Sequence, residues 1–132
     1  MSSFEKALVY HCSPTLCGLK PANLLSLSKD EYPHLPQLAA AYARLLEDKG
    51  IRLTILCSCS CRWLLLVYHQ SMLAAQLKQP AVVRLLAQAG YPVDAPFSLE
   101  QLLRCLSCRL RQSEGFPHEI GVFLGYPLED VI

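Results

Sequence analysis

The stretch from Ile51 to His69, IRLTILCSCSCRWLLLVYH, decides the class of fold. Ile51 to Cys57 and Trp63 to His69 are short apolar runs, and the segment between them is polar, cysteine-rich and free of proline. Two strands joined by a short connection have this pattern, so a hairpin is expected. Just upstream, Leu38, Tyr42, Leu45 and Leu46 recur at three- and four-residue spacing, and Gly50 is suited to the left-handed position that ends a helix. A helix is therefore expected over about Gln37 to Lys49. Downstream, Ser71 is suited to cap SMLAAQLK, and Pro80 opens PAVVRLLAQA, which Gly90 ends. A further helix begins at Ser98, with Gln101 in capping-box position, and runs to about Arg111 with Leu99, Leu102, Leu103, Leu106 and Leu110 on one face.

The two ends complete the pattern. Lys6 to His11, KALVYH, is rich in strand formers, and the prolines and glycine after it disfavour regular structure, which predicts a first strand and then a long loop. In FPHEIGVFLGYPLEDVI, Pro117 and Pro127 suit first helical turns and Gly125 suits a stop, which predicts a helix, a tight turn and the start of another helix. No repeat, linker or low-complexity tract divides the 132 residues. The expectation is one domain over residues 1–132, of class α+β: a small sheet of about three strands, including the hairpin, covered by four to six helices.

Composition narrows the function classes. Twelve Lys and Arg against eleven Asp and Glu leave a net charge of +1 with no basic stripe, so no nucleic-acid partner is expected. Hydrophobic residues make up 52% and charged residues 17%, an apolar surplus that argues for a homo-oligomer or another covering partner. WLLLVY, the most apolar run, is far short of the ~20 residues that cross a bilayer, so no membrane partner is expected. Glu5, Lys6 and His11 interrupt the apolar region that an export signal would need, which points to the cytosol. Seven cysteines, an odd number in that compartment, are expected to be free thiols that mostly pack as small apolar residues.

HCSPTLCGLKPANLL from His11 to Leu25, LLLVYH from Leu64 to His69, and FPHEIGVFLGYPLEDV from Phe116 to Val131 together resemble an uncharacterised bacterial family, a domain of unknown function marked by Pro-His-Glu and Leu-Gly-Tyr-Pro motifs. The resemblance runs from about Ala7 to Val131. It directs attention to His11, Cys12, Ser13, Pro14, Lys20, Asn23, Pro117, His118, Glu119, Gly121, Gly125, Tyr126 and Pro127, and it implies no reaction. Members of the family continue past the equivalent of Val131, so a C-terminal segment is expected to be lacking here. Cys57, Cys59 and Cys61 do not belong to the family pattern.

These residues support two readings. The leading one is a ligand- or partner-binding domain, with a site where the His11 to Asn23 loop meets the His118 to Pro127 helical turn; His11, Ser13, Lys20, Asn23 and Tyr126 are its candidate ligand-binding residues. The alternative is a thiol- or metal-dependent enzyme. Cys12 would be the nucleophile and His118 the base, kept neutral by a helix N-terminus. Glu119 is the nearest carboxylate, although helix neighbours diverge by about 100°. A mixed set of His11, Cys12 and His118 would suit a transition metal such as zinc or iron. Cys105 and Cys108 have CxxC spacing, but in a helix rather than a zinc knuckle.

Overall fold

A computed structural model describes residues 2–59, 61–94, 96–112 and 117–127. Its elements are α1 (Ser3–Leu16), β1 (Ala22–Ser28), α2 (Leu35–Leu46, extended by a 3₁₀ turn at Glu47–Lys49), β2 (Ile51–Cys59), β3 (Arg62–His69), α3 (Gln70–Leu77), α4 (Pro80–Gln88), α5 (Leu99–Gln112) and α6 (Ile120–Phe123). The strands form one antiparallel sheet in the order β1-β3-β2. The fold is thus α+β with a small sheet and a β2–β3 hairpin.

β3 is the central strand, and its apolar run has a direct reason. Leu64, Leu66 and Tyr68 face one core layer while Leu65 and Val67 face the other, so neither side of the strand meets water. The first layer holds Phe4, Leu8 and Cys12 of α1 and Leu35 and Ala39 of α2 against Leu25, Leu27, Ile51, Leu65 and Val67. The second holds Leu73, Leu77, Val82 and Leu86 of α3 and α4, the leucine stripe of α5, and Val122 and Phe123 of α6. In β2, Ile55 pairs with Leu65 and Cys57 with Leu64, leaving Leu56 as a bulge. The extra residue shifts the alternation of the strand, so Leu56 and Cys57 enter the second layer while Leu53 and Ile55 lie against the first.

Local expectations are corrected at four places. Lys6 to His11 is not a strand but the middle of α1. Ser2 accepts a hydrogen bond from the Glu5 amide at 3.1 Å, and Phe4, Leu8, Cys12 and Thr15 are buried at helical spacing. These two signals outweigh the strand preference of Val9 and Tyr10. Pro14 sits in the last turn, so the helix loses one bond just before it ends. The third strand is instead β1, inside the segment expected to be a loop; Ala22, Leu25 and Leu27 are its buried residues. Pro117, His118 and Glu119 do not form the first helical turn but a turn that precedes the four-residue α6, closed by bonds from the amides of Ile120, Gly121 and Val122 to the carbonyls three residues before. Ser71 does not cap α3; the His69 ring does, accepting from the Met72 amide at 3.4 Å. The helix expected from Pro127 onward lies outside the described residues beyond Pro127 itself.

Candidate binding site

The segment after α1 turns sharply. Gly18 adopts a left-handed conformation, and Leu19 and Lys20 lead into Pro21, whose carbonyl accepts the His69 amide at 2.8 Å. Across from this turn stands the one that ends α6. Gly125 has φ +84°, and a Cβ placed on it would lie 2.7 Å from Pro21 Cδ. The Lys20 ammonium sits 5.2 Å from the centroid of the Tyr126 ring, a cation–π distance. The Lys-Pro and Gly-Tyr motifs, far apart in the chain, therefore make one junction beside the start of β1.

Around it the sequence-expected residues divide. Asn23, at the start of β1, accepts the Thr15 hydroxyl at 2.7 Å, which ties the end of α1 to the strand. Ser13 donates to the Val9 carbonyl within α1. His11 is exposed, with its ring 4.8 Å from that of Tyr10. Cys12 is fully buried in the first layer. Burial pushes its thiol up to about 12, against the weaker opposing pull of Lys20. Partial burial lowers the Lys20 pKa, and Cys12 opposes that shift. Among the described residues Lys20 has no carboxylate partner. Leu19 beside it is 81% exposed and Tyr126 is 49% exposed, so apolar surface borders the ammonium.

Glu119 belongs elsewhere. Its carboxylate accepts the Tyr91 hydroxyl at 3.1 Å and pairs with Arg109 at 3.6 Å, on the second-layer side of the sheet. The Arg109 guanidinium stacks 4.9 Å from the Tyr91 ring and donates to the Ala89 carbonyl. A hydrogen bond with Cys105 leads the effects that raise the Arg109 pKa. Burial, then the charge of Glu119, drives the Tyr91 hydroxyl upward. This cluster fastens the turn before α6 to α5 and to the end of α4. His118 is exposed on that turn, and no hydrogen bond or ring contact joins it to Cys12 among the described residues. Cys12 and the Tyr91 partner of Glu119 lie in different core layers, on the two sides of the sheet. Also among the described residues, no three His, Cys, Asp or Glu side chains are placed to hold a metal ion, and no helix is long and apolar enough to cross a membrane.

Lys20, Asn23, Glu119, Gly125 and Tyr126 stand out in the sequence, but Thr15 against Asn23, Pro21 against Gly125, and Tyr91 and Arg109 against Glu119 do not. Tyr91 follows the Gly90 stop, and Arg109 adjoins the leucine stripe of α5; neither position signals a carboxylate so distant in the chain. Comparison with curated proteins and with solved structures gave no match. The model of one protein family, described as "Protein of unknown function (DUF3793)", matches residues 8–132. That match takes in α1 from Leu8 onward, the sheet, the Lys20–Tyr126 junction and the Glu119 cluster, and the chain belongs to this family.

Proposed function

We propose that the chain is a binding domain whose site is the junction of the Lys20 turn with the Tyr126 turn, and that its ligand is a small molecule or a protein partner presenting an anionic group. The observation that carries the reading is the Lys20 ammonium held over the Tyr126 ring without a carboxylate partner among the described residues. A cation fixed in that way offers its remaining N–H donors to an incoming carboxylate or phosphate. Leu19 and the exposed part of Tyr126 provide apolar contact beside the charge, a combination common at recognition surfaces. The high pKa of the buried Cys12 thiol favours binding over thiolate chemistry, since the nucleophile would be protonated at neutral pH.

Isotope-labelled protein titrated with acetate and with inorganic phosphate tests the reading. Saturable shifts of the Leu19, Lys20, Gly125 and Tyr126 amides, lost in Lys20→Gln and weakened in Tyr126→Leu, are expected. Silence at those amides in both titrations sets the reading aside.

A further inference from the structure

A cavity that shares no residue with the Lys20 junction lies where the β2 bulge meets α5. Its volume is about 410 Å³, within the range of small-molecule pockets. Its floor is the sheet: Thr54, Ile55, the bulged Leu56 and Tyr68. Its wall is α5: Glu100, Leu103, Arg104 and Ser107. The bulge builds it. Leu56 turns its side chain into the second layer, and its carbonyl accepts the Ser107 hydroxyl, so strand and helix are tied at one end of the cavity.

Three polar side chains of this cavity, Tyr68, Glu100 and Arg104, have no side-chain partner among the described residues. Tyr68 is only 8% exposed, yet its hydroxyl has no hydrogen-bond partner among the described residues. Arg109 Nε is the buried side-chain polar atom without a partner among the described residues, so the Tyr68 oxygen itself keeps access to solvent and is open to a ligand atom at the cavity. Glu100 and Arg104 stand one helical turn apart, the spacing at which opposite charges usually pair. Here they do not, since the ion pair found among the described residues is Arg109 with Glu119. The cavity therefore presents a separate anion, a separate cation and a hydroxyl beside apolar surface from Leu56 of the floor and Leu103 of the wall.

We infer that this cavity binds a small zwitterion of the α-amino acid type. The ligand carboxylate meets Arg104, its ammonium meets Glu100, and its side chain enters over Leu56 and Leu103 with Tyr68 and Thr54 available to a polar atom. A ligand with only one of the two charges would leave the other wall residue unmatched, which is why a zwitterion fits better than a simple anion. The site is independent of the Lys20 junction and stands whether or not that junction binds anything.

The test is a titration of the isotope-labelled full chain with glycine, serine, leucine and phenylalanine, each at millimolar concentration, with acetate and methylamine as single-charge controls. The expected result is a saturable shift of the Thr54, Leu56, Tyr68 and Ser107 amides by at least one amino acid and by neither control. Affinity should fall about tenfold in Arg104→Gln and in Glu100→Gln, because each removes a charge-assisted hydrogen bond. Tyr68→Phe should weaken binding severalfold where the ligand side chain carries a hydroxyl, and leave leucine binding unchanged. Arg104 and Glu100 are exposed, so their variants keep the fold. Any one of three results overturns the inference: no amino acid shifts these amides, a control shifts them at equal affinity, or Arg104→Gln binds as tightly as the intact chain.

Discussion

Gly125 and Pro21 are in contact so close that a single added carbon on the glycine would stand 2.7 Å from Pro21 Cδ. This contact joins two widely separated motifs and sets the Tyr126 ring beside Lys20. The glycine is required twice, once by its positive φ and once by the space the proline fills. Gly125→Ala is thus expected to destabilise the protein by about 2–4 kcal/mol, combining left-handed strain with overpacking. Urea denaturation measures it. A loss below about 0.5 kcal/mol, the scatter of neutral surface substitutions, would show that the two turns separate without consequence.

What could be read from the sequence differs by element, for physical reasons. The hairpin, α2 and α5 were legible because their periodicity, caps and stop residues agree, as at Ser98, whose hydroxyl accepts the Gln101 amide at 3.2 Å. α1 was not, because Val9 and Tyr10 favour strands and Pro14 suggests a break, while the deciding Ser2–Glu5 capping lies outside the apolar run. β1 was masked by the glycine and prolines before it, although Leu25 and Leu27 alternate as a strand requires. In the candidate site, Lys20, Asn23 and Tyr126 were visible as residue types, but Pro21 against Gly125 is a long-range contact with no local signal. The β2 bulge, which builds the α5 cavity, likewise depends on pairing rather than on the sequence of β2.

The reassignment of α1 has its own consequence. Ser2→Ala removes the hydroxyl that accepts the Glu5 amide and should cost about 1 kcal/mol, the usual worth of a helix N-cap. Asn at the same position, an equally good cap, should restore most of it. Equal stability of the intact, Ala and Asn forms by thermal denaturation would count against a capped helix at the start of the chain.

Tyr91 and Glu119 share one hydrogen bond and one neighbouring cation, so their energies should not add. Tyr91→Phe leaves a largely buried carboxylate with one partner fewer, and about 1–2 kcal/mol is expected to be lost. Glu119→Gln keeps the shape but removes the charge facing Arg109, which is a third exposed and therefore partly screened, so a similar or smaller loss is expected. A double-mutant cycle should show a coupling of at least about 0.5 kcal/mol. Strict additivity would mean that the cluster does not act as a unit in fastening α6.

Cys12 connects burial to pH. Its thiol is held protonated up to about pH 12 in the folded chain, whereas in the unfolded chain it ionises near 9. A folded pKa raised above the unfolded one means that the contribution is complete below about pH 9 and is lost as pH rises toward 12, because the unfolded state releases its proton first. The slope for one such group is about 1.4 kcal/mol per pH unit in that window. Tyr91 is raised for related reasons and acts in the same direction, so the comparison belongs in a Tyr91→Phe background. There, stability should fall steeply between pH 9 and 12 with Cys12 and much less steeply with Cys12→Ala, even though the alanine form starts lower from the loss of buried volume. Native-state alkylation at about pH 8 gives an independent check: exposed Cys17, Cys61 and Cys108 should be modified while Cys12 stays protected until the chain unfolds. Modification of Cys12 as fast as Cys17 would show a reactive, accessible thiol and favour the nucleophilic reading over binding.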